Sequence, residues 1–414
     1  MAEVTAERVN TEQRRRQRLK DFDFSLLTLV LLLMAIGLLM VFSASSYYAM
    51  YRFGNKFEFL LKQSVFSVGG VFVMWLTSRV DYHVLGKISP VLAMLGIVLL
   101  GLVCIPGIGY EINGARRWFN LGFTTVQPSE FMKLALILVL SFSLSHRQDK
   151  LRSLRTGLIP YLIMVGIIDA ALYFQHHMSA IVIVTMLAVI ILFAAGAKIW
   201  HFLLVGIPAG GLLGMLMFME GYRVDRIMTF FGKSTDPTDD AYQITNSLVA
   251  IGSGGLFGKG LGRSLQKNLF IPEPQSDFIY AIFAEELGFV GAVSLLVLFI
   301  LLIFRGMRIA MNAPDMLGGL MGVGITSLVA IQMLLNVAVV TKTIPTTGIP
   351  LPFFSAGGTS LIFLMMAMGI LLNISRQTVP LFHVRQQTVE RQKGGGRKPA
   401  EPPRRGTPKE RTRR

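Results

Sequence analysis

The residue with the clearest chemical use is Asp277. It closes Pro272-Glu273-Pro274-Gln275-Ser276-Asp277-Phe278, where a polar stretch runs into an apolar one, Ile279 to Gly288. A carboxylate at the lip of a membrane-embedded cavity is partly desolvated and acts as a base near neutral pH, which a fully exposed Asp does poorly. Ser276 and Asp277 are also both capping residues, and the local pattern alone reads first as a solvated helix N-cap. Glu130 and Lys133, three residues apart, share one face of a helix and can pair. Ionisable groups inside a membrane helix are costly and turn toward an interior or a wet cavity. Two roles stay open for them: fixing helix packing, or touching substrate. Arg116, Arg117 and Trp118 stand just before that helix, a composition that by itself suits interfacial anchoring. His176 and His177 are neighbours in a short turn with no third ligand close in sequence, which argues against a transition-metal site.

What must position these groups is a membrane bundle. The chain is 52% hydrophobic and 15% charged, which excludes an ordinary soluble enzyme. About ten apolar runs approach spanning length, at 24–44, 59–78, 88–105, 129–145, 158–174, 179–196, 202–219, 278–304, 317–340 and 361–374, the shorter ones open to being buried or re-entrant pieces. The expected fold class is an all-α polytopic integral membrane protein. Arg14, Arg15, Arg16, Arg18 and Lys20 precede the first run, and Arg147, Lys150, Arg152 and Arg155 follow the fourth. The positive-inside bias puts both clusters, and with them both termini, in the cytoplasm. Loops 45–58, 106–128, 175–178, 220–277 and 341–360 then face outward and gather the distinctive polar residues on one side. The chain divides into a basic cytoplasmic segment 1–23, a transmembrane body 24–375 with a long extracytoplasmic loop 220–277, and a basic Gly/Pro-rich tail 376–414 expected to stay disordered. That tail lacks aromatic interleaving and suits anionic lipid rather than nucleic acid. Ser43-Ala44-Ser45 looks like a cleavage site, yet the first apolar run is too long for a secretory signal and reads as a retained anchor. Cys104 is the only cysteine, so no intramolecular disulfide or thiolate cluster forms.

Inside loop 220–277, Arg223 and Arg226 alternate with aromatic residues in a segment suited to the interface. Asp239 or Asp240 can cap a short amphipathic helix carrying Tyr242, Leu248 and Ile251. The glycines from Gly252 to Gly262 look like a phosphate-binding loop but fail the test. A Walker A pattern needs Gly where Ser253 stands and Ser or Thr where Gly260 stands, and no strand precedes. They are read as allowing tight turns and close backbone approach beside the membrane, with pyrophosphate contact as the lesser alternative. The Pro-rich stretch from Thr343 cannot be a regular spanning helix and is expected to line the outer cavity as a re-entrant segment. A divalent cation, Mg or Mn, held by one carboxylate and a substrate pyrophosphate would leave little trace in sequence.

Three blocks in order carry a family resemblance. Asn113-Gly114-Ala115-Arg116-Arg117-Trp118 with Gln127-Pro128-Ser129-Glu130-Phe131-Met132-Lys133-Leu134, then PEPQSDFIYAIFAEELG from Pro272, then TIPTTGIPLPFFSAGGTS from Thr343, resemble signatures of the SEDS family (shape, elongation, division and sporulation). The resemblance spans about 24–376. It implies a peptidoglycan glycosyltransferase of the division branch, polymerising lipid II on the outer face of the plasma membrane, at the septum. It makes Asp277 the base that deprotonates the acceptor hydroxyl, and Arg117 and Lys133, or a divalent ion, the stabilisers of the departing pyrophosphate. Arg116, Trp118, Glu130, Gln275, Ser276, Ser355, Gly357 and Gly358 complete the implied substrate-binding set. Direct displacement implies inversion at the anomeric carbon. Implied partners are lipid II, the nascent glycan chain, membrane lipid, other divisome membrane proteins and a cognate class B penicillin-binding transpeptidase, since no Ser-x-x-Lys acyl-transfer domain is present. Three departures stand out. The turn Gln175-His176-His177-Met178 lacks the proline many relatives carry and an acidic partner. Ser355-Ala356-Gly357-Gly358 lacks their tyrosine, and Thr347 stands where some division members carry lysine. A lipid II flippase or a non-catalytic divisome scaffold remains the alternative, separated by polymerisation of purified precursor.

Overall fold

The computed structural model describes residues 22–112, 114–122, 124–148, 151, 153–202, 204, 206, 240–268 and 270–377. Helix α1 (Phe24–Phe53) starts where the Asp23 carboxylate accepts the Leu26 N–H at 3.0 Å, and it ends at Gly54 in the left-handed conformation (φ 69°). Between Ser45 and Phe53 there is neither Gly nor Pro, so the helix runs on past the expected end at residue 44, and the expected loop 45–58 contracts to a short turn. Helix α2 (Glu58–Thr77) follows, then α3 (Tyr82–Leu102), capped by Asp81. A small antiparallel sheet, β1 (Tyr110–Ile112), β2 (Ala115–Asn120) and β3 (Thr125–Val126), fills the connection to α4 (Pro128–Ser145). Proline at the first helical position of α4 removes a donor that would have had no partner. A π-helical turn, Leu154–Leu158, leads into α5 (Ile159–Phe174) and then α6 (Met178–Ala194). The amphipathic helix expected in the long loop is α7 (Asp240–Ser253). Helices α8 (Ile279–Met311), α9 (Met316–Val340) and α10 (Gly358–Gln377) complete the described fold.

Among the described residues eight helices are long and apolar enough to cross a membrane, and α6 is a shorter apolar one. The protein is a polytopic all-α membrane protein with a small sheet at one end. The expected span 202–219, the interfacial Arg223 and Arg226, the cap Asp239, the first basic segment and the basic tail lie outside the described residues, apart from a few positions at their edges. Helices α4 and α9 are the most buried of the spans and form the centre of the bundle. One end of the bundle is marked by ionic contacts between helix ends. Arg305 of α8 pairs with Asp23 at 2.7 Å, and His83 bridges Asp81 (2.7 Å) and Asp315 (2.6 Å).

Helix α8 is broken. Gly288 has φ 69° and ψ −169°, so the carbonyls of Glu285 and Glu286 and the N–H groups of Phe289 and Val290 lose helical partners. The glycine-rich segment supplies them. Phe289 N–H donates to Gly255 O (2.8 Å) and Val290 N–H to Leu256 O (3.1 Å), while Lys259 and Gly260 N–H donate to Glu285 O and Glu286 O, both at 3.0 Å. Backbone at membrane depth must be satisfied within the protein, and only glycine allows this approach: a Cβ on Gly258 (φ 80°) would overlap the Glu286 carbonyl. Side chains fasten the same strap. Lys259 pairs with Glu285 at 2.7 Å and Lys267 with Glu286 at 2.8 Å, and Ser43 of α1 donates to both Glu286 oxygens at 2.7 Å. The half-helix Ile279–Leu287 is thereby locked between α1 and the strap, with Asp277 at its head.

Candidate functional site

Asp277 lies half-buried just ahead of α8. The N-cap position of α8 is Phe278, whose side chain makes no capping bond, and Asp277 stands one residue ahead of it. Its backbone carbonyl accepts the Asn336 side-chain amide at 2.8 Å, and the same amide nitrogen donates to Ile349 O at 2.8 Å. Buried Asn336 thus clips the loop before α8 to the Pro-rich segment. On the other side of the carboxylate stands Gly348 (φ 63°), where a Cβ would sit 3.2 Å from Asp277 Oδ2. Glycine keeps the carboxylate's flank open.

The second and third sequence blocks are joined along their length. Ser355 Oγ donates to Ser276 O (2.7 Å) while accepting Leu351 N–H (2.8 Å), and Ala356 N–H donates to Gln275 O (2.8 Å). The segment carrying these contacts is irregular, with Ile349, Leu351, Phe353 and Phe354 all buried. It enters the bundle as the expected re-entrant piece, with the Ile349 carbonyl taken by the Asn336 amide, Thr347 O by Ser179 and Ser355 O by Gln63. Pro350, Leu351, Pro352, Phe353 and Ser355 wall a narrow cavity whose other side includes Glu130, Leu134 and Gln332. Its volume, about 20 Å³, is on the scale of a water molecule rather than a sugar.

The first block reaches this centre through two elements. Lys133, 2% exposed, pairs with Glu130 at 2.8 Å in the first turns of α4. Arg117 lies on β2, whose alternation sends neighbouring side chains to opposite faces. Arg117 Nε donates to Gln175 O at 3.2 Å and its terminal nitrogen to His176 O. Arg116 points the other way and pairs with Glu111 at 2.9 Å on the exposed hairpin, so it is held apart from the centre. Trp118 lies beside the Arg117 guanidinium, 6.0 Å from ring centroid to Cζ. Gly358 serves packing, since a Cβ there would strike the Phe66 ring of α2; Gly357 abuts the Ser360 side chain.

The turn between α5 and α6 is a hub that sequence spacing undervalued. Gln175 Nε2 donates to Leu100 O at 2.9 Å, His176 adopts positive φ (55°), and Ser179 donates to Thr347 O. His177 is buried, and burial together with the neighbouring Arg117 and Lys133 charges holds its imidazole far below the usual histidine range, hence neutral. Its Nδ1 has no hydrogen-bond partner among the described residues. The same holds for Ser129 Oγ, Gln175 Oε1, Gln275 Oε1, Asn336 Oδ1 and Thr347 Oγ1. Five of the fourteen such buried atoms belong to the three blocks and this turn, and Asn336 of α9 contacts the second and third blocks. Buried polar atoms are ordinarily satisfied by protein or ordered water, so these atoms have hydrogen-bonding capacity to offer water or a polar ligand. The signal in sequence was the density of Gln, Ser, His and Thr within otherwise apolar surroundings.

Comparison with known proteins decides the family. The cell cycle protein model built on the FtsW, RodA and SpoVE proteins matches residues 24–379. The chain belongs to the SEDS family. It is 44% identical over 355 residues to stage V sporulation protein E of Bacillus subtilis (strain 168), covering 86% of this chain and 97% of that protein. It is 41% identical over 359 residues to the protein named probable peptidoglycan glycosyltransferase FtsW of Geobacter sp. (strain M18), covering 87% and 98%. Among solved structures, a chain of a peptidoglycan synthase complex studied for coordination of polymerization and crosslinking superposes with a TM-score of 0.72 at 28% identity, covering 86% and 98%. The rod shape determining protein RodA of Thermus thermophilus superposes at 0.65 and 28% identity, covering 87% and 99%. This SEDS protein thus shares a fold with its relatives across the whole described body.

Proposed function

We propose that this SEDS protein is a peptidoglycan glycosyltransferase that polymerises lipid II on the outer face of the plasma membrane, with both termini cytoplasmic, in septal wall synthesis. The observation that carries the reading is the joining of the second and third sequence blocks beside the half-buried Asp277, with the third block walling a cavity that Glu130 of the first also lines. The glycosyltransferase name of its FtsW relatives supports it.

In the proposed reaction, the acceptor sugar hydroxyl attacks the anomeric carbon of the donor. The new C–O bond forms as the bond to polyprenyl pyrophosphate breaks, and Asp277 takes the hydroxyl proton. The half-buried carboxylate is flanked by Gly348, which leaves it open to an incoming hydroxyl. Lys133 and Arg117 offer positive charge to the leaving pyrophosphate, with Glu130 orienting the Lys133 ammonium. Gln275 and Ser276 are held by Ala356 and Ser355 and fix the approach to Asp277. Among the described residues no three His, Cys, Asp or Glu side chains gather to hold a metal ion. A divalent cation would therefore be held by one carboxylate, Asp277 or Glu130, and by the pyrophosphate itself. When bound, it would neutralise leaving-group charge.

A cognate class B penicillin-binding transpeptidase is the proposed partner, in keeping with the fold shared with a chain of a synthase complex. The test is incubation of the purified protein and that partner with purified lipid II. Glycan chains of many disaccharides are expected. Translocation of lipid II across vesicles without chain formation would replace the glycosyltransferase reading with a flippase.

A further inference from the structure

The strap that mends the break in α8 carries large apolar side chains on its outer surface. Phe257 is 80% exposed, and Leu256, Leu261, Leu265 and the adjoining Phe289 are each more than half exposed. A loop in water does not gather such residues side by side without a reason. Its depth supplies one. The bonds from Phe289 and Val290 to Gly255 and Leu256 fix the strap at the level of that turn of α8. From Phe289 to Arg308 in the last turn, at the rise of an α-helix, is about 28 Å, close to the roughly 30 Å hydrocarbon core of a bilayer. The Arg308 end is the end where Arg305 meets Asp23 and where Asp81, His83 and Asp315 cluster, all groups that belong at an aqueous interface. The opposite hydrocarbon boundary then falls at Phe289, level with Leu256 and Phe257. Arg263, exposed among the apolar residues, suits the headgroup layer just above.

We propose that residues 255–265 form a wedge that inserts Leu256, Phe257 and Leu261 into the acyl chains of the leaflet at the Asp277 end, holding the Asp277 half-helix at a fixed position relative to the hydrocarbon boundary. The occupant of this apolar face is lipid, because the face lies at the hydrocarbon boundary and carries the exposed Arg263 at headgroup level. The wedge is rigidly tied to the site: Lys259 and Lys267 pair with Glu285 and Glu286 two turns below Asp277. The inference rests on the membrane-spanning fold and stands or falls apart from the reaction proposed above.

The test uses the full chain with Cys104→Ser as background and single cysteines at Phe257→Cys, Leu261→Cys and, as control, exposed Glu273→Cys. Each is labelled with an environment-sensitive fluorophore. The proteins are reconstituted in phosphatidylethanolamine–phosphatidylglycerol vesicles containing phosphatidylcholine brominated at defined acyl positions. Labels at 257 and 261 should be quenched several-fold more strongly than the label at 273, most by bromines near the top of the acyl chain. Equal quenching at all three positions would place the strap in water and overturn the proposal. Loss of quenching at 257 and 261 on adding the partner transpeptidase would reassign the face to protein, which equally overturns it. Two independent label positions guard against one substitution disturbing the fold.

Discussion

Replacing Gly258 by alanine tests whether the strap holds the broken helix. The native φ of 80° costs an L-residue about 1–2 kcal/mol. The new methyl also meets the Glu286 carbonyl well inside contact distance, so the strap must move away from α8. The bonds nearest the clash, Lys259 N–H to Glu285 O and Gly260 N–H to Glu286 O, contribute roughly 0.5–1.5 kcal/mol each. The expected destabilisation is therefore about 2–5 kcal/mol, accompanied by loss of polymerisation as the Asp277 half-helix loosens. The measurement is unfolding of the purified protein in detergent, followed by chain formation from lipid II in vesicles. Gly252→Ala is the control, since nothing lies within 4 Å of its Cβ and it sits inside α7; it should be neutral or stabilising by up to about 1 kcal/mol. If Gly258→Ala is as stable and as active as the parent, the strap does not hold the break.

Two further outcomes follow from the charges around the site. Lys133→Ala leaves Glu130 buried without its partner, at a cost of about 3–5 kcal/mol, and should abolish polymerisation; full activity of the swapped Glu130→Lys, Lys133→Glu protein would show that pairing alone matters and refute contact of Lys133 with pyrophosphate. His177, neutral when folded but ordinary (6.5) when unfolded, makes the unfolded state bind more protons in acid, so stability should fall as pH drops below 6.5, by up to about 1.4 kcal/mol per pH unit. His177→Gln should flatten that acid limb of the melting-versus-pH curve, and an unchanged slope would show that the imidazole is not held neutral.

Much of this arrangement was readable before any coordinates. Apolar runs of spanning length, Asp240 at the head of an amphipathic stretch and the prolines after Thr343 each dictate backbone behaviour locally, and the helices and the irregular segment follow them. The glycines of 252–262 announced close backbone approach, though not its target. That target was hidden because a single glycine, Gly288, inside a long stretch of helical pattern looks like an ordinary helical residue. The partners of Glu285 and Glu286 were hidden for another reason: Ser43, Lys259 and Lys267 are set by tertiary packing, not by spacing. The hairpin escaped because β2 is short, and its alternation, which separates Arg116 from Arg117, is masked by a run of consecutive polar and aromatic residues. His177 offered only a rejected metal pair; its burial beside Arg117 and Lys133 is what gives it meaning.

The most direct test of the proposed chemistry is Asp277→Asn, which keeps the size of the side chain and removes the basic carboxylate. Chain formation from purified lipid II, by the purified protein with its partner transpeptidase, should fall on the order of a hundred- to ten-thousand-fold, while unfolding and co-purification with the partner stay as in the parent. Polymerisation within a few-fold of the parent would contradict the assignment of Asp277 as the base.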